Sequence, residues 1–170
     1  MYTDGSKSGE KVAAAAVTAQ QEFKCRLPNN ASVFTAELKG IELALSEIET
    51  SQGDDFVILS DSMSSLQALA GDDWLNPMVL EVKERLNSLQ TNLDKHVTFV
   101  WIPSHVGIKG NEKADVAAKA ALDLPHSDFK CLINPYIKRK WQMEWDAKIE
   151  NKIQPTLGVW ANAYRQTKRE

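Results

Sequence analysis

Long apolar runs are missing from this chain: no stretch approaches the ~20 residues a helix needs to cross a bilayer. No membrane partner is therefore expected. Cysteine is scarce as well, with only Cys25 and Cys131 and no Cys-x-x-Cys spacing. That argues against a zinc site or a disulfide framework and for a reducing, intracellular setting in the nucleus or cytoplasm. A secretory leader is not visible, because Met1 is followed at once by Tyr2-Thr3-Asp4-Gly5-Ser6. An excess of positive charge is lacking too. The net charge is −3, and residues 1–125 carry eleven Lys and Arg against eighteen Asp and Glu. Residues 126–170 reverse the balance, with nine against five. Bulk charge thus announces no nucleic-acid partner. A phosphate would have to be met by metal ions, backbone amides and a few local cations.

What remains is an ordinary globular composition. Its 170 residues suffice for one domain with a core and an appendage, and no internal repeat or low-complexity segment interrupts them. Strand signals come first: a short stub at Met1–Thr3 ending on Asp4, a small apolar run over 12–19, and alternation over 22–27. Leu38, Ile41, Leu45 and Ile48 then fall at helical spacing, with Ser32 or Thr35 as the cap. Glu37 lies in the first turn, toward the buried side. Residues 56–60 form a continuous apolar run, as expected of a strand covered on both faces, and Asp61 follows directly. A short helix over 62–70, a loop over 71–77 and a helix marked by Val79, Val82, Leu86 and Leu89 come next. A strand over 97–102 ends at Pro103. A loop with two glycines, Gly107 and Gly110, leads to a helix capped by Asn111 and rich in alanine up to 122. The fold class is α/β, with a mixed sheet and helices packed on it.

Acidic residues occupy special places in this order. Asp4 and Asp61 follow strands; Glu37 and Asp115 face inward near helix starts. Strand ends and helix starts converge at one sheet edge in such folds. Four carboxylates there would repel one another unless cations were bound, and oxygen-only ligation selects hard ions such as Mg²⁺ or Mn²⁺. A lone Asp after a strand is ordinarily a turn residue. Asp54, Asp55, Asp72 and Asp73 fit that bland reading, and the special positions matter only together.

Four segments resemble the motifs of type 1 ribonucleases H, in order: Tyr2-Thr3-Asp4-Gly5-Ser6, Thr35-Ala36-Glu37-Leu38, Leu59-Ser60-Asp61-Ser62, and Ser104-His105-Val106-Gly107 running on through Ile108-Lys109-Gly110-Asn111-Glu112-Lys113-Ala114-Asp115. The resemblance implies a ribonuclease H-like fold: a five-stranded mixed sheet, three antiparallel strands and then parallel ones, with flanking helices. It implies an endonuclease that hydrolyses the RNA strand of an RNA–DNA hybrid with two Mg²⁺ ions, for which Mn²⁺ can substitute. Asp4, Glu37, Asp61 and Asp115 would hold the ions. His105 would assist proton movement or product release, on a loop loosened by Gly107 and Gly110. Gly5, Ser6 and Ser62 would contact the substrate. Val33, Phe34 and Met63 depart from the polar residues common in the family, which puts substrate affinity in doubt rather than chemistry. A 3′ exonuclease of the same fold would begin Asp-x-Glu; this chain has Asp4-Gly5-Ser6. A non-catalytic module that only binds or connects stays open as the alternative.

The domain is expected over 1–125, a monomer in isolation. A basic extension follows over 126–170, with Asn134-Pro135 starting a helix to about residue 151 and an extended tail after it. Ile137, Trp141, Trp145 and Ile149 form its apolar stripe beside Lys138, Arg139 and Lys140. The stripe fits a helix packed on protein; the cations and tryptophans also fit a nucleic-acid clamp. Residues 137–146 and 153–160 resemble the segment after ribonuclease H in jockey-like non-LTR retrotransposons. There the domain closes a reverse-transcriptase polyprotein, which implies the reverse transcriptase as partner.

Overall fold

The computed structural model describes residues 1–71 and 76–125. The extension expected over 126–170, its helix, its clamp and Cys131 lie outside the described residues, as do Asp72 and Asp73. Five strands and four helices follow in the order β1 (Tyr2–Ser8), β2 (Lys11–Val17), β3 (Glu22–Leu27), α1 (Val33–Thr50), β4 (Asp55–Ser60), α2 (Met63–Ala70), α3 (Pro77–Leu93), β5 (His96–Trp101) and α4 (Lys109–Ala121). The strands form one sheet in the order β3-β2-β1-β4-β5. β1–β2 and β2–β3 pair antiparallel, and β1–β4 and β4–β5 pair parallel. The expected α/β mixed sheet is therefore present. No described helix is long and apolar enough to cross a membrane.

The strand covered on both faces is β2, not β4. Side chains alternate along a strand. Val12, Ala14 and Ala16 cluster with residues of α1, while Ala15 and Val17 cluster with Ala114, Ala117 and Ala118 of α4. Small side chains let both helices come close. In β4, Ile58 is buried in the α1–α3 core but Val57, on the opposite face, is 46% exposed. The apolar run over 56–60 thus overstated its burial, because α4 covers β1 to β3 rather than β4.

α1 begins where Ser32 accepts a bond from the Thr35 amide, settling the choice of cap. Its Leu38, Ile41, Leu45 and Ile48 are fully buried, each contributing about 2 kcal/mol by removal from water. Gly40 permits the approach to the sheet: a Cβ there would lie 3.0 Å from the Ala15 carbonyl oxygen and 3.1 Å from that of Asp4. Pro77 belongs to α3 rather than to the preceding loop. It takes the first helical turn behind Asn76, whose side chain accepts from the Met78 and Val79 amides.

Candidate metal centre

Asp4 does not end its strand. β1 continues to Ser8 because Gly5, Ser6 and Lys7 go on pairing with Ala14, Ala13 and Val12. What ends beside Asp4 is the pairing with β4. The last parallel pair is Thr3 with Ser60, so the next row sets Asp4 next to Asp61 on adjacent chain segments. Glu37 arrives from α1, one position past the helix's first turn rather than within it. Gly5 makes that meeting possible. A Cβ at Gly5 would lie 2.5 Å from the Glu37 amide nitrogen and 2.7 Å from the Ala36 carbonyl carbon. Gly5 is thus needed for contact between β1 and α1, whatever part it has toward substrate.

One carboxylate oxygen from each of Asp4, Glu37 and Asp61 lies within 4.8 Å of the others. Burial pushes Asp4 up to about 7, reinforced by Asp61 and Asp115 and opposed by Lys119 and the Gly5 amide. Burial, then Asp4 and Asp61, pushes Glu37 up to about 9, against the Gly5 amide. Glu37 Oε2 is buried with no hydrogen-bond partner. An oxygen-only cluster with too little positive charge and an orphaned acceptor fits a hard divalent cation.

Asp115 joins the cluster electrostatically through Asp4 and is tied to Lys119, one helical turn on, at 2.7 Å. The bond raises Lys119 above its ordinary value. Asn111 is not the cap of α4. The helix starts at Lys109 behind Ile108, which makes no side-chain cap bond, so Gly110 is helical and outside the loop. Instead, Asn111 Nδ2 donates to Asp61 Oδ2 at 2.9 Å. The Trp101 indole N–H donates to the Asp61 carbonyl at 3.1 Å. Neither contact was foreseen. The signal for Asn111 was its place four residues before Asp115, on the same helix face.

His105 is exposed, with φ +56°, a left-handed conformation uncommon outside glycine, and Gly107 nearby has φ +84°. No hydrogen bond or ion pair among the described residues joins His105 to the carboxylates. Ser6 is half-buried in β1. The Ser62 hydroxyl lies 2.9 Å from that of Ser65, inside the start of α2.

The family model for RNase H matches residues 1–123. A Pol polyprotein of equine infectious anemia virus, strain Wyoming, is 28% identical over 123 residues, covering 70% of this chain. The chain spans about a tenth of that relative's length, 10%. Among solved structures, RNase H1 of Halobacterium salinarum NRC-1 is 25% identical with a TM-score of 0.54, covering 72% of this chain and 95% of that one. LC11-RNase H1, solved in complex with an RNA/DNA hybrid, shares 17% identity at a TM-score of 0.55, over 72% of this chain and 94% of that one. At that identity the likeness is one of fold alone.

Proposed function

This chain belongs to the RNase H family, and we propose that it hydrolyses the RNA strand of an RNA–DNA hybrid, with Asp4, Glu37, Asp61 and Asp115 as ligands for two Mg²⁺ ions. The observation that carries this reading is the convergence of three carboxylates within 4.8 Å, one of them with an unpartnered buried oxygen. Bound divalent ions supply activation of water and neutralisation of the leaving oxygen in phosphodiester cleavage, and Mn²⁺ would serve in place of Mg²⁺.

The chain's own residues prepare that chemistry. When nothing positive is bound, Glu37 holds its proton at neutral pH and Asp4 does so in part, because burial disfavours their charge. Ligation therefore replaces protons with metal, and metal affinity rises with pH. Asp61 and Asp115, less enclosed, are oriented by Asn111 and Lys119. His105 offers an imidazole that takes or gives a proton at a ring nitrogen, suited to product departure from an exposed loop. Gly5, Ser6 and Ser62 would face the hybrid, and the 2′-hydroxyl of the RNA strand distinguishes it from DNA.

The setting we infer is a mobile-element polyprotein containing a reverse transcriptase. The Pol polyprotein relative is retroviral and supports a polyprotein context. The narrower jockey-like assignment rests on residues 137–160 alone. The test is incubation of the chain with a labelled hybrid and Mg²⁺. The expected result is RNA cut to products with 5′-phosphate and 3′-hydroxyl ends, with single-stranded RNA intact. A hybrid bound but uncut in both Mg²⁺ and Mn²⁺ would favour a non-catalytic module.

A further inference from the structure

Of the three converging carboxylates, Asp61 alone lies outside a helix or strand, in the link between Ser60 and Met63. Its position is set by bonds from three directions. The Met63 amide donates to its carbonyl at 3.0 Å and the Trp101 indole N–H at 3.1 Å. The Asn111 side-chain amide donates to Oδ2 at 2.9 Å. The direction of the last bond is fixed by chemistry, since only the amide nitrogen can donate to a carboxylate.

Asn111 is 3% exposed, and its Oδ1 is buried without a partner. A purely structural role would favour an apolar side chain of similar shape there, because the orphaned oxygen carries a desolvation cost that no bond offsets. What the amide adds is its grip on Asp61. Asn111 also precedes Asp115 by four residues, so one face of α4 supplies a carboxylate and holds another.

We propose that Asn111 is a positioning residue that fixes the Asp61 carboxylate against Asp4 and Glu37 and so sets the affinity of the site for divalent metal. Trp101 anchors the main chain of the same residue. The proposal rests on Asp61 being a metal ligand, as in the function proposed above. Groups that orient a ligand in this way are commonly worth 10–100-fold in metal affinity.

The full chain is titrated with Mn²⁺, without hybrid, and bound metal is read by electron paramagnetic resonance. The variants are Asn111→Leu, which keeps bulk and loses the donor, and Trp101→Phe, which loses the indole N–H together with some ring bulk at a residue 46% exposed. Asn111→Leu is expected to need at least about tenfold more Mn²⁺ for half-saturation, with an unchanged or higher melting temperature in chelator. Trp101→Phe is expected to shift half-saturation in the same direction by a smaller factor. If Asn111→Leu fails to fold, Asn111→Ser and Trp101→Phe carry the test. Equal half-saturation for folded variants and wild type overturns the proposal, and so does a wild type that binds no Mn²⁺. A wild type that binds Mn²⁺ in an Asn111-dependent way but leaves the hybrid intact overturns the proposed function and keeps this inference.

Discussion

Asp4 and Glu37 converge with Asp61, and Asp115 acts on Asp4 from α4, but the fold holds the two pairs by different means. The first pair sits on regular elements, in β1 and α1, and burial raises both groups, to about 7 and about 9. The second pair is bonded by side-chain donors, Asn111 for Asp61 and, more weakly, the exposed Lys119 for Asp115. A desolvated carboxylate on a regular element is placed accurately, but burial disfavours its charge. A carboxylate bonded by a side-chain donor takes part of its aim from that partner. The site combines a pair whose charge is disfavoured by burial with a pair bonded by side-chain donors.

Removing one charge from either pair should have the largest effect. Glu37→Gln and Asp61→Asn are each expected to lower hybrid cleavage by about 10³-fold, equivalent to about 4 kcal/mol of barrier. Stability should separate them from ordinary damage. Glu37→Gln replaces a side chain already held neutral, so its melting temperature in chelator should not fall. Melting curves alongside cleavage rates check this, and a large loss of stability in Glu37→Gln would show that the buried carboxylate has a structural bond.

The buried pair should also make the metal-free protein sensitive to pH. Both folded values lie above the ordinary carboxylate values of 3.8 and 4.5. The folded state therefore keeps protons that the unfolded chain releases. The associated stability is complete below about pH 4 and is lost as pH rises toward about 9 through the two folded values. In chelator, the melting temperature should drop by several degrees between pH 5 and pH 8, and saturating Mg²⁺ should reverse much of the drop at pH 8. A melting temperature that rises over this interval would contradict the burial argument. Gly5→Ala tests the same pair sterically. Its Cβ would press on the Glu37 amide nitrogen at 2.5 Å, so a loss of about 1–3 kcal/mol is expected. Denaturant unfolding measures that loss.

The unequal legibility of the site follows from the same contrast. Glu37 and the helix with Leu38, Ile41, Leu45 and Ile48 could be located from periodicity, because burial leaves a periodic trace in sequence, and Asp61 from the apolar run that it follows. The extent of β1 could not be located that way, since Gly5-Ser6-Lys7 is polar and continues only because β2 pairs with it. The apolar run over 56–60 looked doubly buried because sequence shows side-chain character but not which strand α4 covers. Asn111 read as a cap because Asn is a strong capping residue. Its actual bond reaches Asp61, fifty residues away in the chain, and no local pattern encodes such a partner. The motif order supplied the grouping of the carboxylates; the donors that hold them required the fold.

The smallest expected effect tests the partnered side at its weakest point. Lys119 bonds Asp115 at 2.7 Å across one turn of α4, but the lysine side chain is well exposed. Exposed pairs of this spacing contribute about 0.3–0.5 kcal/mol. Lys119→Met should therefore move the melting temperature by about 2 °C or less. Asp115 loses a tether but not its place on α4, so cleavage should fall less than about threefold, a barrier change under about 0.7 kcal/mol. Screening should narrow the difference between variant and wild type as salt is raised. Rates measured across a salt series decide the point. A tenfold loss that persists at high salt would mean that Lys119 orients Asp115 as firmly as Asn111 is proposed to orient Asp61, and the two partnered carboxylates would then be equivalent.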